Sequence, residues 1–522
     1  MKGFRYLPLE LKFTNHRIIV YNCPDNYYQN NDFTDSGTIM HFIGRRQELK
    51  TLADFLMSPT AGLLVLYGRR RIGKTSLVSA FIEQQSGTPA FYWVATTHNE
   101  AFQLRDFSQA ILRHDPRLGD PPGPDFSFSG WEAALNHLAD LAASQDRPYL
   151  LVLDEFTYLL RNQPAISSIF QKAWDQRLSK VPQVRLILTG SLLGMMAREV
   201  FSYQAPLYGR ATAQIRLRPL PFGACHELFP KRSAAERVAI YGVTGGVPAY
   251  LDLFTRTGDF VSALRDHGLT PGSMLLSDPA VILYEQLQEP QAYEAILSAI
   301  AAGFHQWSEI AGMAGISETA LGHYLNALQE LEFVERRVPL LAKPGSKSGK
   351  YYLRDHFLRF YYRFIVPQLG PIGRGYREAA AEKINAELRS FIGQHVFGEL
   401  CREWVWAAAL QGQLDFVPES VGSFWRGGGN GVQLDVVAAA PHQKRLLIGE
   451  AKWGRGRLAR RQLTDLVERS RKMPQVAAGW EVRYALFARE GFRPALQEAA
   501  EALDARLISL AELEQTLIAA EG

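Results

Sequence analysis

The chain has 522 residues, 47% of them hydrophobic, and a formal net charge of +4. At roughly 100–200 residues per domain, this length predicts three or four domains with sizeable cores. The small net charge argues neither for nor against nucleic-acid binding, so the local distribution of charge must decide that question. Cys23, Cys225 and Cys401 form no CxxC pair, which indicates neither a disulfide framework nor a zinc site and fits a reducing cytoplasm. No apolar run approaches the ~20 residues that span a bilayer, and no signal peptide is recognisable, so we expect a cytoplasmic protein with no membrane partner.

Residues 1–39 differ in composition from the rest of the chain. Residues 22–37 are rich in Asn, Asp and Tyr and show no helical or strand period, which predicts a disordered or loosely attached segment. Met40 directly precedes the segment 41–49 (HFIGRRQEL), and an amphipathic helical pattern covers 44–56. We therefore expect residues 1–39 to be an upstream extension and Met40 to be the natural start.

The segment YGRRRIGKT at 67–75 has the spacing G-x-x-x-x-G-K-[ST] between an apolar run and a helical pattern. Its glycines let successive backbone N–H groups point at a phosphate, and the helix after it adds the positive end of its dipole. Lys74 can reach the β- and γ-phosphates, and the Thr75 hydroxyl can bind Mg²⁺. The alternative is a glycine-containing turn that binds nothing. The predicted site for ATP and Mg²⁺ comprises Gly68, Arg69, Arg70, Arg71, Ile72, Gly73, Lys74, Thr75 and Ser76.

Four further strands are predicted after this loop, at 90–94, 149–153, 184–188 and 214–218. The first three are short apolar runs separated by helical segments, which is typical of a parallel sheet buried on both faces. The last alternates polar and apolar residues, as a half-exposed edge strand does. The order of elements predicts an α/β fold with three layers.

Polar residues come after two of these strands. Asp154 and Glu155 stand at the carboxyl end of the run 149–153, where an open α/β sheet binds its ligand. We expect Asp154 to join the Mg²⁺ shell and Glu155 to polarise an attacking water. Ser191, after the run 184–188, is placed to sense the γ-phosphate. The alternative is a pair of surface acids at a strand end.

Residues 42–253 resemble the archaeal and bacterial P-loop ATPase family related to the AAA+ and STAND groups. The matching pieces are 42–45 (FIGR), the loop 67–75, 153–156 (LDEF), 189–191 (TGS), 206–210 (PLYGR) and 245–251 (GGVPAYL). The resemblance implies an ATPase with a short helical lid, in which the segment containing Pro248 packs against the nucleotide. It also implies that Arg210 contacts the γ-phosphate, within one chain or from a neighbouring subunit of a homo-oligomer. The alternative for Arg210 is a surface salt bridge.

Residues 301–355 have the pattern of a winged helix, with two short helices and then a hairpin. The second helix, at 317–331, contains no Lys or Arg, so its phosphate contacts would be weak. The charge lies instead on the hairpin, at Lys343, Lys347 and Lys350. DNA binding and a structural or protein-binding use both remain open.

The run DHFLRFYYRF at 355–364 interleaves aromatic and basic residues, and its spacing favours a core helix over a nucleic-acid platform. With the preceding hairpin it resembles the start of a domain of unknown function that commonly accompanies this ATPase family. The glycine-rich, basic segment 370–377 is the predicted linker to the C-terminal part.

A second group of charged residues lies in the C-terminal part. Glu399 is in a helical run, Asp435 begins one predicted strand, and Glu450 and Lys452 end the next. A four-residue turn at 441–444 would pair Ala440 with Arg445, which places Asp435 opposite Glu450. Residues two apart in a strand share a face, so Lys452 joins the two acids. Two acids that face each other destabilise a hairpin unless a cation lies between them, so this pairing predicts a metal site.

These residues resemble the PD-(D/E)XK nuclease fold. The resemblance implies that Glu399, Asp435 and Glu450 bind a second Mg²⁺ or Mn²⁺ and that Lys452 orients water for phosphodiester cleavage. Three outcomes remain open: an active nuclease, an intact fold that binds without cutting, and an exposed hairpin with scattered charges.

The domain boundaries predicted from these patterns are 1–39 (extension), 40–225 (ATPase core), 226–300 (lid), 301–355 (winged helix), 356–390 (connecting segment) and 391–522 (nuclease-like domain). We expect an ATP-driven switch that controls a winged-helix and nuclease-like module on nucleic acid, DNA rather than RNA. One alternative is an ATP-dependent regulator that binds DNA or protein without cleavage. Another is an ATP-driven assembly, as in signalling ATPases.

Overall fold

The computed structural model describes residues 10–13, 16–19, 42–85, 87–115, 117, 123, 125–256, 258–287, 289–343, 345–346, 348–427 and 431–521. The chain divides into two units, Met1–Arg218 and Pro219–Gly522. Most of the predicted extension, together with Met40, lies outside the described residues. Within the extension, strands β1 (Glu10–Phe13) and β2 (His16–Ile19) pair in antiparallel orientation.

The first unit is built on a five-stranded parallel sheet in the order β4-β5-β6-β3-β7. Its strands are β3 (Gly62–Tyr67), β4 (Ala90–Val94), β5 (Tyr149–Asp154), β6 (Val184–Gly190) and β7 (Ala213–Arg216). β5 and β6 are buried along their whole length, as central parallel strands covered on both faces are. β7 pairs with β3 alone and has exposed residues, as the predicted edge strand should. The predicted α/β class with a parallel sheet is confirmed.

One helix precedes the first of these strands, and the others lie between strands. They are Arg46–Leu56, Lys74–Gln84, Glu100–His114, Trp131–Ala143, Phe156–Asn162, Ile166–Gln176 and Leu193–Met196, with a 3₁₀ turn at Leu178–Lys180 and a π turn at Ala197–Phe201. Leu63 and Val65 of β3 pack in one apolar cluster with Trp131 and Phe170. Because side chains alternate along a strand, Leu64 and Leu66 point to the other face, and both are fully buried there.

The second unit is mostly helical. Its α-helices are Cys225–Leu228, Ala234–Thr244, Pro248–Asp252, Phe260–Ala263, Met274–Gln286, Pro290–Ala301, Trp307–Ala314, Glu318–Glu330, His356–Phe360, Leu369–Gly373, Arg377–Phe391, Phe397–Leu410, Arg460–Ser470, Pro474–Ala477, Pro494–Ala502 and Leu510–Ala519. Single 3₁₀ or π turns occur at Phe222–Ala224, Leu264–Gly268, Tyr361–Ile365, Val366–Gln368, Ile392–Val396 and Pro441–Gln443. Within the part of the chain that the structure describes, no helix combines the length and apolarity needed to cross a bilayer.

Two helices and an antiparallel hairpin occupy the segment predicted as a winged helix. Ser317 caps the second helix, because its hydroxyl oxygen accepts a hydrogen bond from the Ala320 N–H. The hairpin consists of β8 (Val334–Arg337) and β9 (Lys350–Leu353). Lys347 at its tip lies outside the described residues.

The next two segments differ in outcome. Every residue of the helix His356–Phe360 is buried, so the predicted core helix is confirmed. The segment predicted as a linker, 370–377, contains most of the short helix Leu369–Gly373 and the first residue of Arg377–Phe391.

A second five-stranded sheet lies toward the C-terminus, in the order β10-β11-β12-β13-β14. The strands are β10 (Ser420–Arg426), β11 (Val432–Ala440), β12 (Arg445–Lys452), β13 (Glu481–Ala488) and β14 (Arg506–Ser509). The first two pairings are antiparallel and the last two parallel. Ala440 pairs with Arg445, as predicted from the turn length. The ladder runs to the pair Val436–Gly449, one position before Asp435 and Glu450.

Candidate functional site

The phosphate-binding loop joins β3 to the helix Lys74–Gln84. Gly73, the residue before this helix, has a left-handed φ of 92°, which glycine adopts without a steric penalty. A Cβ atom on Gly68 would lie 2.5 Å from the Leu217 carbonyl oxygen, so only glycine fits there. The loop is therefore shaped by its two fixed glycines. The first N–H groups of the helix have no intrahelical partner and are available to an anion.

Lys74 is held between the loop and an acid at the sheet edge. Its Nζ atom donates to the Gly68 carbonyl oxygen at 3.2 Å and lies 3.8 Å from Glu155 Oε1. The residue is 5% exposed. An ammonium group in this position can exchange its contacts with the loop and the acid for contacts with a phosphate.

Asp154, at the end of β5, accepts hydrogen bonds from three hydroxyl groups. Thr75 Oγ1 donates to its Oδ2 atom at 2.7 Å, Tyr92 donates to the same oxygen, and Thr189 donates to Oδ1. The residue is 1% exposed, so these donors fix the carboxylate away from bulk water. Sequence reasoning missed Tyr92 and Thr189. The available signal was a hydroxyl near the carboxyl end of each of two mostly apolar strands.

Glu155 is oriented by its backbone and by two further hydroxyls. Its φ of 53° is in the left-handed region, and its N–H donates to Thr189 Oγ1 at 3.1 Å. Ser191 Oγ donates to Glu155 Oε2 at 2.7 Å, and the Thr157 hydroxyl lies 3.4 Å from the same oxygen. The structure thus brings together the predicted residues Lys74, Glu155 and Ser191.

Arg45 contacts the loop from outside the motif. Its Nη2 atom donates to the carbonyl oxygens of Ile72 at 3.2 Å and Arg218 at 2.6 Å, and its Nη1 atom pairs with Glu48 at 3.1 Å. The residue is 8% exposed. Arg45 therefore fixes the phosphate-binding loop to the end of the first unit. Arg45 is the last residue of the segment FIGR at 42–45, but the sequence did not reveal this role.

Arg210 forms a bidentate ion pair with Asp175. The Nε and Nη2 atoms each lie 2.8 Å from an Asp175 carboxylate oxygen, and Nη1 donates to the Pro206 carbonyl oxygen at 2.8 Å. Hydrogen bonding to Arg210 lowers the pKa of Asp175 below its ordinary value. Among the described residues, the ion-pair partner of Arg210 is this aspartate.

The segment containing Pro248 lies in the second unit. Gly245 ends the helix Ala234–Thr244 with a φ of 62°, and Pro248 is the first residue of the next helix. A Cβ atom on Gly246 would lie 2.1 Å from the Leu220 carbonyl oxygen. The two glycines thus permit a sharp turn with close backbone approach.

Asp435, Glu450 and Lys452 lie together on β11 and β12. Lys452 Nζ is 2.5 Å from Glu450 Oε1, and Arg469 Nη2 donates to Glu450 Oε2 at 2.7 Å. The Asp435 carboxylate accepts a hydrogen bond from the Ala451 N–H at 3.3 Å. Burial and the negative charge of Glu450 raise the pKa of Asp435 above its ordinary value.

Glu399 lies in a separate cluster of cationic side chains. Arg337 Nη2 is 2.5 Å and Arg359 Nη1 2.8 Å from its Oε1 atom. Burial favours a raised pKa for Glu399, but attraction from Arg359 and Arg337 outweighs it, so the net pKa is below the ordinary value. In the described parts of the chain, no group of three or more His, Cys, Asp or Glu side chains could hold a metal ion. Glu399 is therefore not gathered with the other two acids.

Two family models match the chain. Residues 42–254 match the ATPase domain predominantly from Archaea, and this range includes the whole loop, Asp154 and Glu155. Residues 361–465 match the archaeal and bacterial proteins of unknown function. The site geometry and the first match together define residues 42–254 as a P-loop ATPase domain.

The chain is also 33% identical over 412 residues to the uncharacterized protein MJECL04 of Methanocaldococcus jannaschii, a match that covers 79% of this chain and 87% of that protein. The chain belongs to the same family as that archaeal protein. A shorter match, 43% identical over 47 residues, covers 9% of this chain and 80% of the uncharacterized ATP-binding protein MJ0423 of the same organism.

Two solved structures align with parts of this chain. The Walker-type ATPase PABY2304 of Pyrococcus abyssi has a TM-score of 0.48 at 21% identity, with 64% of this chain and 99% of that chain covered. The ORC2 protein of Aeropyrum pernix, in ADPNP and ADP complexes, has a TM-score of 0.40 at 16% identity, with coverages of 63% and 96%. The ATPase assignment rests on the family match of residues 42–254 and on the geometry of the loop.

Proposed function

We propose that the chain is a Mg²⁺-dependent ATPase whose hydrolysis cycle controls a nucleic-acid-binding module in residues 301–522. One observation carries the first half of this proposal. The Thr75 hydroxyl is bonded to Asp154 at the same sheet edge where Lys74 lies beside Glu155. The carboxyl edge of the first sheet thus holds the phosphate-binding loop, a candidate pair of metal ligands and a candidate base.

The donor set fits magnesium. The Thr75 hydroxyl and the Asp154 carboxylate are hard oxygen donors 2.7 Å apart, the type of ligand that Mg²⁺ binds together with substrate phosphates. When bound, the ion would neutralise charge that develops on the phosphates. Tyr92 and Thr189 would hold the Asp154 carboxylate in place for it.

The residues of the chain would divide the remaining work. Loop N–H groups and Lys74 bind the β- and γ-phosphates, which draws the ammonium away from the Glu155 carboxylate. Glu155 then polarises the attacking water. Ser191 donates to Glu155 and keeps it oriented, so a shift of Ser191 toward the γ-phosphate would report the nucleotide state.

Arg210 and Pro248 have less direct roles in this proposal. Arg210 is held by Asp175, so contact with a γ-phosphate would require that pair to open. Once that pair is open, Arg210 would contact the γ-phosphate of its own chain or, in a homo-oligomer, that of a neighbouring subunit. Pro248 begins a helix of the second unit, and its role as part of a lid stays a prediction.

Binding without cleavage is the output that the geometry favours. Glu450 is paired with Lys452 and Arg469, and Glu399 with its arginine cluster. The helix Glu318–Glu330 offers no Lys or Arg, so as part of a winged helix it would contribute little to phosphate binding.

Metal-dependent cleavage is the second candidate, supported by one observation. Asp435 has a raised pKa because it is buried and faces the charge of Glu450, and Lys452 lies beside that pair. A divalent cation would relieve the repulsion and, when bound, would activate water. The acids available to it are Asp435 and Glu450.

The ATPase proposal is tested by comparing Glu155→Gln with Lys74→Ala. We expect Glu155→Gln to bind fluorescent ATP normally but to turn over on the order of 100-fold more slowly, because the base is lost. Lys74→Ala should lose binding. Labelled DNA should bind wild-type protein with different affinity in ATP and in ADP. Equal affinity in both nucleotides would remove the switch and leave the ATPase.

Cleavage is tested separately with labelled DNA and RNA in Mg²⁺ or Mn²⁺. We expect any cutting to disappear in Lys452→Ala and to persist in Lys472→Ala, a matched change of an exposed lysine just after the helix Arg460–Ser470. Cutting that persists at the original rate in Lys452→Ala would show that a different site, or a contaminant, is responsible.

A further inference from the structure

The segment 452–461, KWGRGRLARR, is the densest run of positive charge beside the C-terminal acids. It contains five basic residues and no acid. Arg455, Arg457, Arg460 and Arg461 are all exposed. The segment begins at Lys452, two residues after Glu450, so it lies directly next to the pair of acids described above.

The segment is anchored at two points. Trp453 is buried, and its ring centroid lies 5.0 Å from that of Phe397. The Arg489 guanidinium lies over the Trp453 ring, 5.2 Å from its centroid. The Leu458 N–H donates to the Gly491 carbonyl oxygen at 3.0 Å, and the Leu458 carbonyl oxygen accepts from the Arg493 N–H at 2.9 Å. Residues 454–457 therefore form an exposed arch with fixed ends, which reduces the entropy that ligand binding would cost.

Three of the five basic side chains in this segment have no ion-pair partner in the part of the chain that the structure describes. Among the described residues, no carboxylate oxygen lies within the 4.0 Å ion-pair distance of Arg455, Arg457 or Arg460. Arg461 pairs with Asp465 at 3.4 Å on an exposed helix face, which is a weak interaction. Clustered like charges repel one another, and a polyanion that bridges them would relieve this repulsion.

The chemistry of the segment distinguishes between two kinds of polyanion. Its two large apolar side chains, Trp453 and Leu458, are 5% and 9% exposed. A segment that inserts into a lipid surface needs apolar side chains available to the acyl region. A phosphate backbone needs only guanidinium groups, which bind phosphate oxygens in pairs.

We infer that the arch 454–457, with Arg460, is a binding surface for the phosphate backbone of a nucleic acid, next to Glu450 and Lys452 at the end of β12. This inference rests on the nucleic-acid part of the proposed function and names the face that makes the contact. It assigns the contact to this arch rather than to the helix Glu318–Glu330, which has no basic side chain other than histidine.

The test uses the full chain with Arg455, Arg457 and Arg460 all changed to Gln. The control carries the same charge change at three scattered exposed arginines, as Arg147→Gln, Arg256→Gln and Arg374→Gln. Fluorescence anisotropy of a fluorescein-labelled DNA duplex and its single strand is measured over a range of salt. We expect the first variant to bind on the order of 10–100 times more weakly at low salt, with a salt slope smaller by about 2–3, and the control to stay within about threefold.

ATP turnover and the thermal unfolding midpoint of both variants show that they are folded. Equal loss in the two variants, or none in either, would overturn the inference while leaving nucleic-acid binding intact. Absence of binding by the wild-type chain would overturn both. Sedimentation with phosphatidylserine vesicles, lost in the first variant while DNA affinity is unchanged, would assign the arch to a membrane surface instead.

Discussion

Arg237 and Glu514 form a buried bidentate ion pair across 277 residues of sequence. Arg237 Nε and Nη2 donate to the two Glu514 carboxylate oxygens at 2.6 and 2.5 Å. Arg237 Nη1 also donates to the Phe229 carbonyl oxygen at 3.0 Å. The residues are 6% and 7% exposed. The pair ties the helix Leu510–Ala519, near the end of the chain, to the part of the second unit that matches the ATPase family.

Removing one partner of this pair should be costly. We expect Glu514→Ala to lower the free energy of unfolding of the second unit by about 3–5 kcal/mol, because the Arg237 guanidinium would be left buried without its counterion. Urea unfolding monitored by tryptophan fluorescence measures the change.

The matched control is Glu387→Ala, which removes another helical glutamate. Glu387 pairs with Arg363 at 4.0 Å, and both side chains are more than two-fifths exposed. This change should cost less than about 1 kcal/mol. A similar loss in both variants would mean that the buried pair contributes no more than a surface pair.

Gly68→Ala should impair nucleotide binding without unfolding the protein. The new Cβ atom would lie 2.5 Å from the Leu217 carbonyl oxygen, so the loop backbone would have to move. We expect affinity for a fluorescent ATP analogue to fall by about tenfold or more. Gly130→Ala is the control, because its Cβ atom would meet nothing within 4 Å. Unchanged affinity in Gly68→Ala would show that the loop tolerates the shift.

Thr189 is predicted to be a positioning residue. Its hydroxyl donates to Asp154 and accepts from the Glu155 N–H, so Thr189→Val removes both contacts while keeping the shape of the side chain. We expect kcat for ATP hydrolysis to fall roughly 10–100-fold with little change in KM. Thr189→Ser, which keeps the hydroxyl, should restore most of the rate. A purely structural role would instead lower stability in both variants and leave kcat alone.

The second unit should lose stability in mild acid because of His356. Burial lowers the pKa of this histidine from 6.5 to about 4; Glu399 opposes the shift, and Arg359 adds to it. The negative charge of Asp355 also raises the pKa of His356, and the positive charge of Arg337 also lowers it. Because the folded-state pKa lies below the unfolded value, the contribution is present above pH 6.5 and is lost as pH falls toward 4. At pH 5 the loss should be about 2 kcal/mol relative to pH 8.

Urea unfolding at several pH values checks this expectation. His356→Gln cannot take up the proton, so its stability should fall less steeply between about pH 8 and pH 5. His395, whose pKa burial also lowers to about 4, keeps its own contribution in that variant. The same pH slope in both proteins would assign the acid sensitivity to other groups.

Features that depend on neighbouring residues could be predicted from the sequence. The spacing of Gly68, Gly73 and Lys74 predicted a phosphate-binding loop, because left-handed backbone and close approach require glycine at fixed positions. Apolar runs located the strands of the first sheet, and a four-residue turn gave the pairing of Ala440 with Arg445. Each of these features depends on residues that are close together in the sequence, so the sequence pattern is enough to predict it.

The meeting of distant groups depends instead on tertiary packing. The sheet order, the hydroxyls of Tyr92 and Thr189 on Asp154, and the bond between Arg237 and Glu514 all arise from how separate elements pack. The resemblance implied Glu399 as a metal ligand, which stays a prediction, and packing surrounds its carboxylate with arginines from two other elements. A buried carboxylate pairs with the cationic side chains that packing places beside it, and the spacing of residues in the sequence does not predict which ones these are.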